Sequence, residues 1–219
     1  MSEKRTIKVD VVSDVMCPWC YIGKRRLEDA LEQLDDIVVD LRWRPFQLDA
    51  TLPPEGKDRK RYLEQKFGGP DRAAAIYQRI RDAGAEDGIA FDFDAIEKSP
   101  NTLDAHRLIR WAQGEGEKTG DRVVEALFRA FFLEGQNIGD HDVLTRIASN
   151  AGMDGPLVRE LLASDRDKAE TQAEIEMAQR MGVTGVPCFV LADKYAVQGA
   201  QDATTLVNAI REVAAMKTT

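Results

Sequence analysis

Two cysteines separated by two residues are the part of this 219-residue sequence best suited to chemistry. Cys17 and Cys20 flank Pro18 and Trp19, directly after an apolar, β-branched run and at the start of a helical pattern. A dithiol at a strand-to-helix junction is typical of thiol–disulfide exchange, because the free N–H groups of a helix start stabilise a thiolate. We therefore predict that Cys17, exposed at the helix tip, is the nucleophile and that the more shielded Cys20 is the resolving thiol.

Two other uses of this cysteine pair are less favoured by the sequence. A structural disulfide across so short a loop would constrain the unfolded chain very little. A zinc site needs about four ligands, and beyond the pair only Cys188, His106 and His141 offer soft donors. We therefore expect no metal site and no cofactor besides the redox-active dithiol, with glutathione considered as a co-substrate.

The surrounding pattern predicts the elements that position the dithiol. Apolar alternation predicts strands over residues 6–12 and 37–43 with an amphipathic helix between them, which implies a parallel βαβ unit. Helical segments and no strand are predicted between residues 52 and 181. Two strands over 186–191 and 195–197, joined by a tight turn, and a helix over 201–216 complete the chain. We predict one α/β domain, residues 1–50 and 182–219, split by an all-helical insertion of residues 51–181.

Composition and charge exclude several classes of function. Hydrophobic residues make up 43% and charged residues 31% of the chain, as in ordinary globular proteins. The net charge of −8 disfavours a nucleic-acid partner, since phosphate binding requires clustered Lys and Arg. The first residues contain no apolar signal region, and we find no apolar run long enough to span a membrane. A cytoplasmic location without a membrane partner is therefore the expectation, and few cysteines fit a reducing compartment.

A second motif, Gly185-Val186-Pro187, stands at the head of the predicted third strand. Proline is unfavourable there because it removes one hydrogen-bond donor from the sheet. Spacing alone leaves two explanations open, a trans proline on an edge strand or a cis proline beside the dithiol.

The residues quoted so far resemble a known family. Residues 13–23 resemble the active-site segment of the DsbA-like thioredoxin superfamily, specifically its FrnE-like branch, while residues 182–187 resemble its cis-proline loop and residues 195–201 its closing hairpin. The resemblance implies a thioredoxin fold, β-α-β … β-β-α, with a large helical insertion. It also implies thiol–disulfide exchange, a cis Pro187, and a Val186 backbone that binds an extended substrate. Pro18 and Trp19 would then tune the redox poise.

The same branch is related to kappa-class glutathione transferases and 2-hydroxychromene-2-carboxylate isomerases. Those relatives have serine where this chain has Cys17, so the presence of both cysteines favours dithiol chemistry. Residues 100–107 resemble a segment near the ligand cleft in these relatives, which makes Asn101 and His106 candidate substrate-binding residues. The alternative is structural, with Asn101 capping a helix and His106 packed on it.

The predicted function is a protein disulfide oxidoreductase or isomerase that uses the Cys17–Cys20 dithiol on protein or small-molecule thiols and disulfides. Two alternatives stay open, a glutathione-dependent isomerase or transferase in which Cys17 acts alone, and a peptide-binding holdase. A homodimer is also left open. Cys188, after the predicted cis proline, is either a buried strand residue or a third redox thiol near Cys17.

Overall fold

The computed structural model describes residues 4–216, so the expected domain ends at residues 1 and 219 lie outside the described part. Its strands are β1 (Arg5–Ser13), β2 (Ile37–Pro45), β3 (Lys57–Asp58), β4 (Lys98–Ser99), β5 (Cys188–Leu191) and β6 (Tyr195–Gln198). Its helices are α1 (Pro18–Leu31), α2 (Arg59–Phe67), α3 (Pro70–Glu86), α4 (Leu103–Gly114), α5 (Glu117–Phe132), α6 (His141–Asn150), α7 (Gly155–Ala163), α8 (Lys168–Arg180) and α9 (Ala203–Met216).

The main sheet has the strand order β2-β1-β5-β6. Strand β1 pairs with β2 in parallel, as the βαβ pattern predicted, and with β5 in antiparallel orientation. Strands β5 and β6 form the predicted hairpin, whose turn residues Ala192 and Asp193 both have positive φ. That conformation is typical of the tight turns whose twist matches a two-stranded ribbon. The predicted α/β thioredoxin fold is confirmed by this arrangement of strands and helices.

The insertion between β2 and β5 differs from the prediction in one respect. A small antiparallel sheet joins β3 to β4, where the sequence predicted helix or loop. The sequence Lys57-Asp58 has no apolar alternation, and its strand exists because the backbone pairs with Lys98-Ser99, some forty residues later. Such short strands depend on a partner that is distant along the chain, so a local pattern does not reveal them.

The two faces of the main sheet have separate cores. On β1, Ile7, Val9 and Val11 belong to a large cluster that includes α1, α5 and α9. Val12 points to the opposite face, where it joins a smaller cluster with Cys188 on β5 and Ala178 on α8. Successive side chains of a strand alternate between faces, so this division follows directly from the strand geometry.

A cluster of aromatic side chains packs the insertion against α1, the helix that begins after Cys17. The ring of Tyr21, on α1, stacks on Phe128 of α5 at a centroid distance of 5.0 Å and meets Phe91 edge-on at 6.1 Å. Each such pair contributes about 0.5–1.5 kcal/mol beyond the area it buries. Residues from the strands and from the insertion share one continuous core. Among the described residues, no helix has the length and apolar character that crossing a bilayer requires.

Candidate active site

The dithiol lies where β1 passes into α1. Cys17 is the N-cap residue of α1 and Pro18 occupies the first helical position, where its missing N–H breaks no helical hydrogen bond. The turn before the helix is closed by the Cys17 N–H, which donates to the Asp14 carbonyl at 2.9 Å. One turn into the helix, the Cys20 N–H donates to the Cys17 carbonyl at 3.0 Å. The predicted position of the pair at the helix start is therefore observed.

The exposure predicted for Cys17 is wrong. Only 4% of Cys17 and 1% of Cys20 are accessible, whereas the intervening Trp19 is 39% exposed. Helix-start geometry alone would leave Cys17 open to solvent, but distant segments of the chain cover it. The Cys17 thiol donates a weak hydrogen bond to the Val186 carbonyl at 3.6 Å, and Tyr77 of the insertion lies close enough to interact electrostatically with its sulfur.

The environment of Cys20 keeps its thiol protonated. Burial raises the pKa of Cys20 well above its ordinary value of 9.0, and the hydrogen bond and negative charge of Cys17 raise it further. The Ser13 hydroxyl and the Asp14 backbone act in the opposite direction but do not cancel the rise. A protonated Cys20 beside Cys17 is a hydrogen-bond donor toward a Cys17 thiolate. The two sulfurs are therefore in different environments, although both are buried.

The Val186–Pro187 segment forms the wall opposite the dithiol. Its peptide bond is cis, as the resemblance implied, and both residues precede β5 and do not belong to it. Gly23 of α1 lies directly beneath the proline, because a Cβ built on Gly23 would be 2.8 Å from Pro187 Cγ and 3.4 Å from Phe189 Cζ. The first helix and the proline loop therefore touch at a point where only glycine fits without displacement.

Comparison with known proteins decides the family. The model of the DSBA-like thioredoxin domain matches residues 8–211 of the chain. The chain belongs to this family. A relative of this DsbA-like chain, the uncharacterized protein YwbO of Bacillus subtilis (strain 168), is 29% identical over 195 residues, which span 86% of this chain and 88% of YwbO.

Solved structures agree with that assignment. A "probable DsbA oxidoreductase" of Streptomyces coelicolor superposes with a TM-score of 0.86 and 31% identity, covering 94% of this chain and 89% of its own. A 2-hydroxychromene-2-carboxylate isomerase superposes with a TM-score of 0.71 over 96% of this chain and 98% of its own. The isomerase is only 16% identical, so it shows that the fold is shared and nothing about the reaction.

His106 of this DsbA-like chain lies beside Asp14, in the turn that precedes Cys17. It is 3% exposed on α4, and its Nε2 atom lies 3.4 Å from Asp14 Oδ1. The fully buried Asp14 carboxylate also accepts hydrogen bonds from the backbone N–H groups of Met16 and Leu48, at 3.4 and 2.8 Å. Asp14 thus organises the turn that presents Cys17, a role that the sequence pattern did not suggest. Its position between a strand and the cysteine motif was the available signal.

Asn101 has a structural role in the turn before α4. Its Oδ1 atom accepts from the Leu103 N–H and from Gln47 Nε2, each at 3.0 Å, while its Nδ2 donates to the Leu52 carbonyl at 2.6 Å. These contacts tie the segment after β2 to the start of α4. The structural alternative raised from sequence matches these contacts, although the N-cap residue of α4 is Thr102 and not Asn101. The assignment of Asn101 to substrate binding remains a prediction.

The insertion contains a buried pair of polar side chains, Arg59 and Tyr77, that sequence patterns did not reveal. Burial raises the pKa of Tyr77, the neighbouring Arg59 guanidinium counteracts that rise, and the Cys17 sulfur adds to it. Arg59 is 3% exposed, donates to the Tyr77 hydroxyl at 3.1 Å and lies over the Phe131 ring at 5.4 Å. A cation from α2 and a phenol from α3 therefore form a buried pair in the insertion, and Cys17 acts electrostatically on the phenol. Only long-range packing brings them there.

Cys188 belongs to the other face of the sheet. It pairs with Val12 in the β1–β5 register and lies in the smaller apolar cluster, with burial raising its thiol pKa. The packing alternative for this residue therefore has the direct support of its surroundings. Of the other soft donors, His141 contacts Asp104 at 2.8 Å. No group of three or more His, Cys, Asp or Glu side chains able to hold a metal ion occurs within residues 4–216.

Proposed function

We propose that this DsbA-like protein is a thiol–disulfide oxidoreductase whose working group is the Cys17–Cys20 dithiol. The observation that carries the proposal is the asymmetry of the pair. Cys17 caps the start of α1 beside the Val186 carbonyl, while Cys20 is one turn in, buried, and held as a thiol by a raised pKa. The Cys17 sulfur is placed to attack a substrate disulfide. The Cys20 thiol stays protonated until a mixed disulfide has formed.

The reaction proceeds in two exchanges. The Cys17 thiolate attacks a substrate disulfide, the substrate S–S bond breaks, and the first substrate thiolate leaves and takes a proton from solvent. Cys20 then loses its proton and attacks the Cys17 sulfur, which releases the second substrate thiolate. Two electrons have moved from the protein to the substrate, and Cys17 and Cys20 are joined as a disulfide. A cellular thiol such as glutathione would return them to the dithiol form.

Proteins and small molecules with accessible disulfides are the proposed substrates. The Val186 backbone stands beside Cys17 and precedes β5, and we propose that an extended substrate segment lies along it. Pro18 and Trp19 complete the proposed site between the two sulfurs, and the partly exposed Trp19 offers an apolar contact at its rim. A cytoplasmic location belongs to the same proposal and makes reduction or isomerisation the expected direction.

Reduction of insulin disulfides by a thiol reductant tests the proposal. Replacing Cys17 with serine should abolish catalysis, because the hydroxyl is not ionised at neutral pH. Cys188→Ser is the matched control, since it removes a buried thiol on the opposite face of the sheet and should leave the rate nearly unchanged. Full activity of the Cys17→Ser protein would refute the proposal.

The same assays separate the two rival functions. A glutathione-dependent isomerase or transferase with Cys17 acting alone should keep its activity in a Cys20→Ala variant, whereas a dithiol enzyme should stall as a mixed disulfide that mass spectrometry detects. A holdase should suppress aggregation even when both cysteines are replaced. The contact between the two thiols supports the dithiol mechanism over these alternatives.

The direction of the reaction is set by the reduction potential of the Cys17–Cys20 pair. Equilibration against a glutathione buffer of known ratio measures it, with the disulfide quantified after alkylation. A potential well below the cytosolic poise would make the protein a reductant, and one well above it would make the protein an oxidant.

A further inference from the structure

The thiolate that Cys20 must form in the second exchange has little access to water. Only 1% of Cys20 is exposed, and burial is the largest of the causes that raise its pKa. A charged sulfur in such a place needs hydrogen-bond donors from the protein to replace the hydration that it loses. The rate of the second exchange therefore depends on which groups of the chain donate to this sulfur.

Two groups favour the thiolate form of Cys20 by hydrogen bonding to its sulfur. They are the Ser13 hydroxyl and the Asp14 backbone. A backbone group is present whatever the residue at position 14, whereas the hydroxyl depends on the serine at position 13. Cys17 also hydrogen-bonds to Cys20 but acts in the opposite direction, because it favours the protonated thiol. Ser13 is therefore the side chain whose removal should affect the Cys20 thiolate most directly.

The Ser13 side chain is held in position and is available for this bond. Ser13 is 5% exposed, ends β1 and lies opposite Pro45 in the parallel register with β2. Its carbonyl accepts from the Phe46 N–H at 3.0 Å, which fixes its backbone. Its hydroxyl has no further hydrogen-bond partner among residues 4–216. A hydroxyl proton rotates to suit its surroundings, so this one can point toward the Cys20 sulfur.

Formation of the mixed disulfide changes the balance of interactions around Cys20. While both thiols are free, the hydrogen bond and the negative charge of Cys17 raise the pKa of Cys20. Once Cys17 is bonded to a substrate sulfur it carries no charge, so this contribution is lost. The bonds from Ser13 and Asp14 do not depend on it. The two donors then oppose burial at the one step of the cycle that requires a Cys20 thiolate.

We propose that Ser13 is a catalytic residue of the second exchange, in which its hydroxyl donates a hydrogen bond to the Cys20 thiolate as this sulfur attacks Cys17. The inference rests on the proposed dithiol function. The Cys20 S–H bond breaks and its proton passes to water, the S–S bond between Cys20 and Cys17 forms, and the bond from Cys17 to the substrate sulfur breaks. The electron pair of that bond leaves with the substrate thiolate. The Ser13 hydroxyl keeps its own proton throughout.

Reaction of the reduced protein with an equimolar amount of dithiobis(nitrobenzoate), an aromatic disulfide, separates the two exchanges. Attack by Cys17 releases the first coloured thiolate and attack by Cys20 releases the second, so stopped-flow absorbance gives one rate for each. Cys20→Ala should release only the first. Ser13→Ala removes one donor and should lower the Cys20 thiolate fraction roughly tenfold. The more basic sulfur is about threefold more nucleophilic, so the second rate should fall about threefold near neutral pH.

The pH dependence of the second rate distinguishes this role from a structural one. In Ser13→Ala the second rate should reach its plateau about one pH unit higher than in the unmodified protein, and the plateau should be no lower. The first rate should be unchanged, because the Cys17 thiol contacts the Val186 carbonyl. Ser99→Ala is the matched control, since Ser99 of β4 is fully buried and its hydroxyl is also unpaired. Both of its rates should equal those of the unmodified protein.

Two results would overturn the role of Ser13. One is a second rate that Ser13→Ala leaves unchanged across the pH range, and the other is an equal slowing of both rates at every pH, as a disturbed fold would produce. The proposed function is tested separately in the same measurement. If the unmodified protein releases only one coloured thiolate, the dithiol mechanism fails and the inference about Ser13 fails with it.

Discussion

Substitution of Gly23 by alanine is a direct test of how the first helix and the proline loop fit together. The added Cβ would lie 2.8 Å from Pro187 Cγ, and Cβ atoms in real proteins essentially never approach a heavy atom more closely than 3.0 Å. A proline ring is fixed to its own backbone and cannot rotate away. The strand that follows is paired with β1, so the loop has to move as a unit.

The size of the effect follows from two opposing contributions. Overpacking of a well-filled interior costs about 1–3 kcal/mol, whereas replacing a helical glycine by alanine gains up to about 1 kcal/mol. Gly114, the last residue of α4, is the matched control because a Cβ added there would have no neighbouring atom within 4 Å. If the helical gain is the same at both sites, Gly23→Ala should be about 1–3 kcal/mol less stable than Gly114→Ala.

Urea unfolding of the reduced proteins measures this difference, and insulin reduction measures its functional consequence. Movement of the loop displaces the Val186 carbonyl from Cys17, and a misplacement of about 1 Å in a reacting site can reduce a rate by roughly 100-fold. We expect Gly23→Ala to be at least about tenfold slower than Gly114→Ala. Equal stability of the two variants, together with equal rates, would show that the contact between α1 and Pro187 has no such role.

Three further predictions concern buried charges and thiols, each measured by urea unfolding. Since the native pKa of Cys20 is raised above its ordinary 9.0, the stability due to its protonated thiol is complete below pH 9.0 and is lost as the pH rises. Between about pH 9 and pH 10 the reduced protein should lose about 1 kcal/mol more than Cys20→Ala, and parallel pH profiles would contradict this. Lys24→Met should cost about 2 kcal/mol or more, because this 2% exposed amine pairs with Glu125 and two further acids. Lys168→Met, which breaks an exposed pair, should cost less than about 1 kcal/mol, and similar losses at both lysines would refute the argument. Arg107→Lys should cost about 2–5 kcal/mol, because an ammonium cannot reproduce the guanidinium contacts with the carbonyls at the end of α7; a loss below about 1 kcal/mol would count against it.

The elements around the dithiol were predictable because local chemistry determines them. Alternation at Ile7, Val9 and Val11 defined β1 and the face that it buries. The proline after Cys17 marked the first position of α1, and the structure begins the helix there. Parallel pairing of the first two strands then followed from chain order and the handedness of βαβ units.

The burial of Cys17 was not predictable by the same reasoning. The free N–H groups at a helix start act on the sulfur beside them, and both the sulfur and the helix are local features of the sequence. The contact made by the sulfur comes from elsewhere: the Val186 carbonyl, in the loop before β5, accepts a hydrogen bond from it. No periodicity in residues 6–31 contains information about that contact. The same limit applies to Gly23. A side chain is excluded at this position by Pro187, which lies in another part of the chain.

The face of the sheet on which the Cys188 side chain lies is set by the alternation of side chains along β5. Closeness to Pro187 in the sequence does not place Cys188 on the side of the dithiol. Alternate residues of a strand face opposite sides, so Phe189 lies against Gly23 of α1, as does the Pro187 that precedes β5, while Cys188 lies in the cluster on the other face. The register supports this, since Cys188 lies opposite Val12 and shares its apolar cluster, whereas Cys17 and Cys20 belong to the cluster on the α1 side. A disulfide from Cys188 to either thiol would need Cα atoms within about 7 Å and side chains directed toward each other. The third-thiol hypothesis therefore requires β5 to turn over or leave the sheet, and mild oxidation of the folded protein should link Cys17 to Cys20 alone.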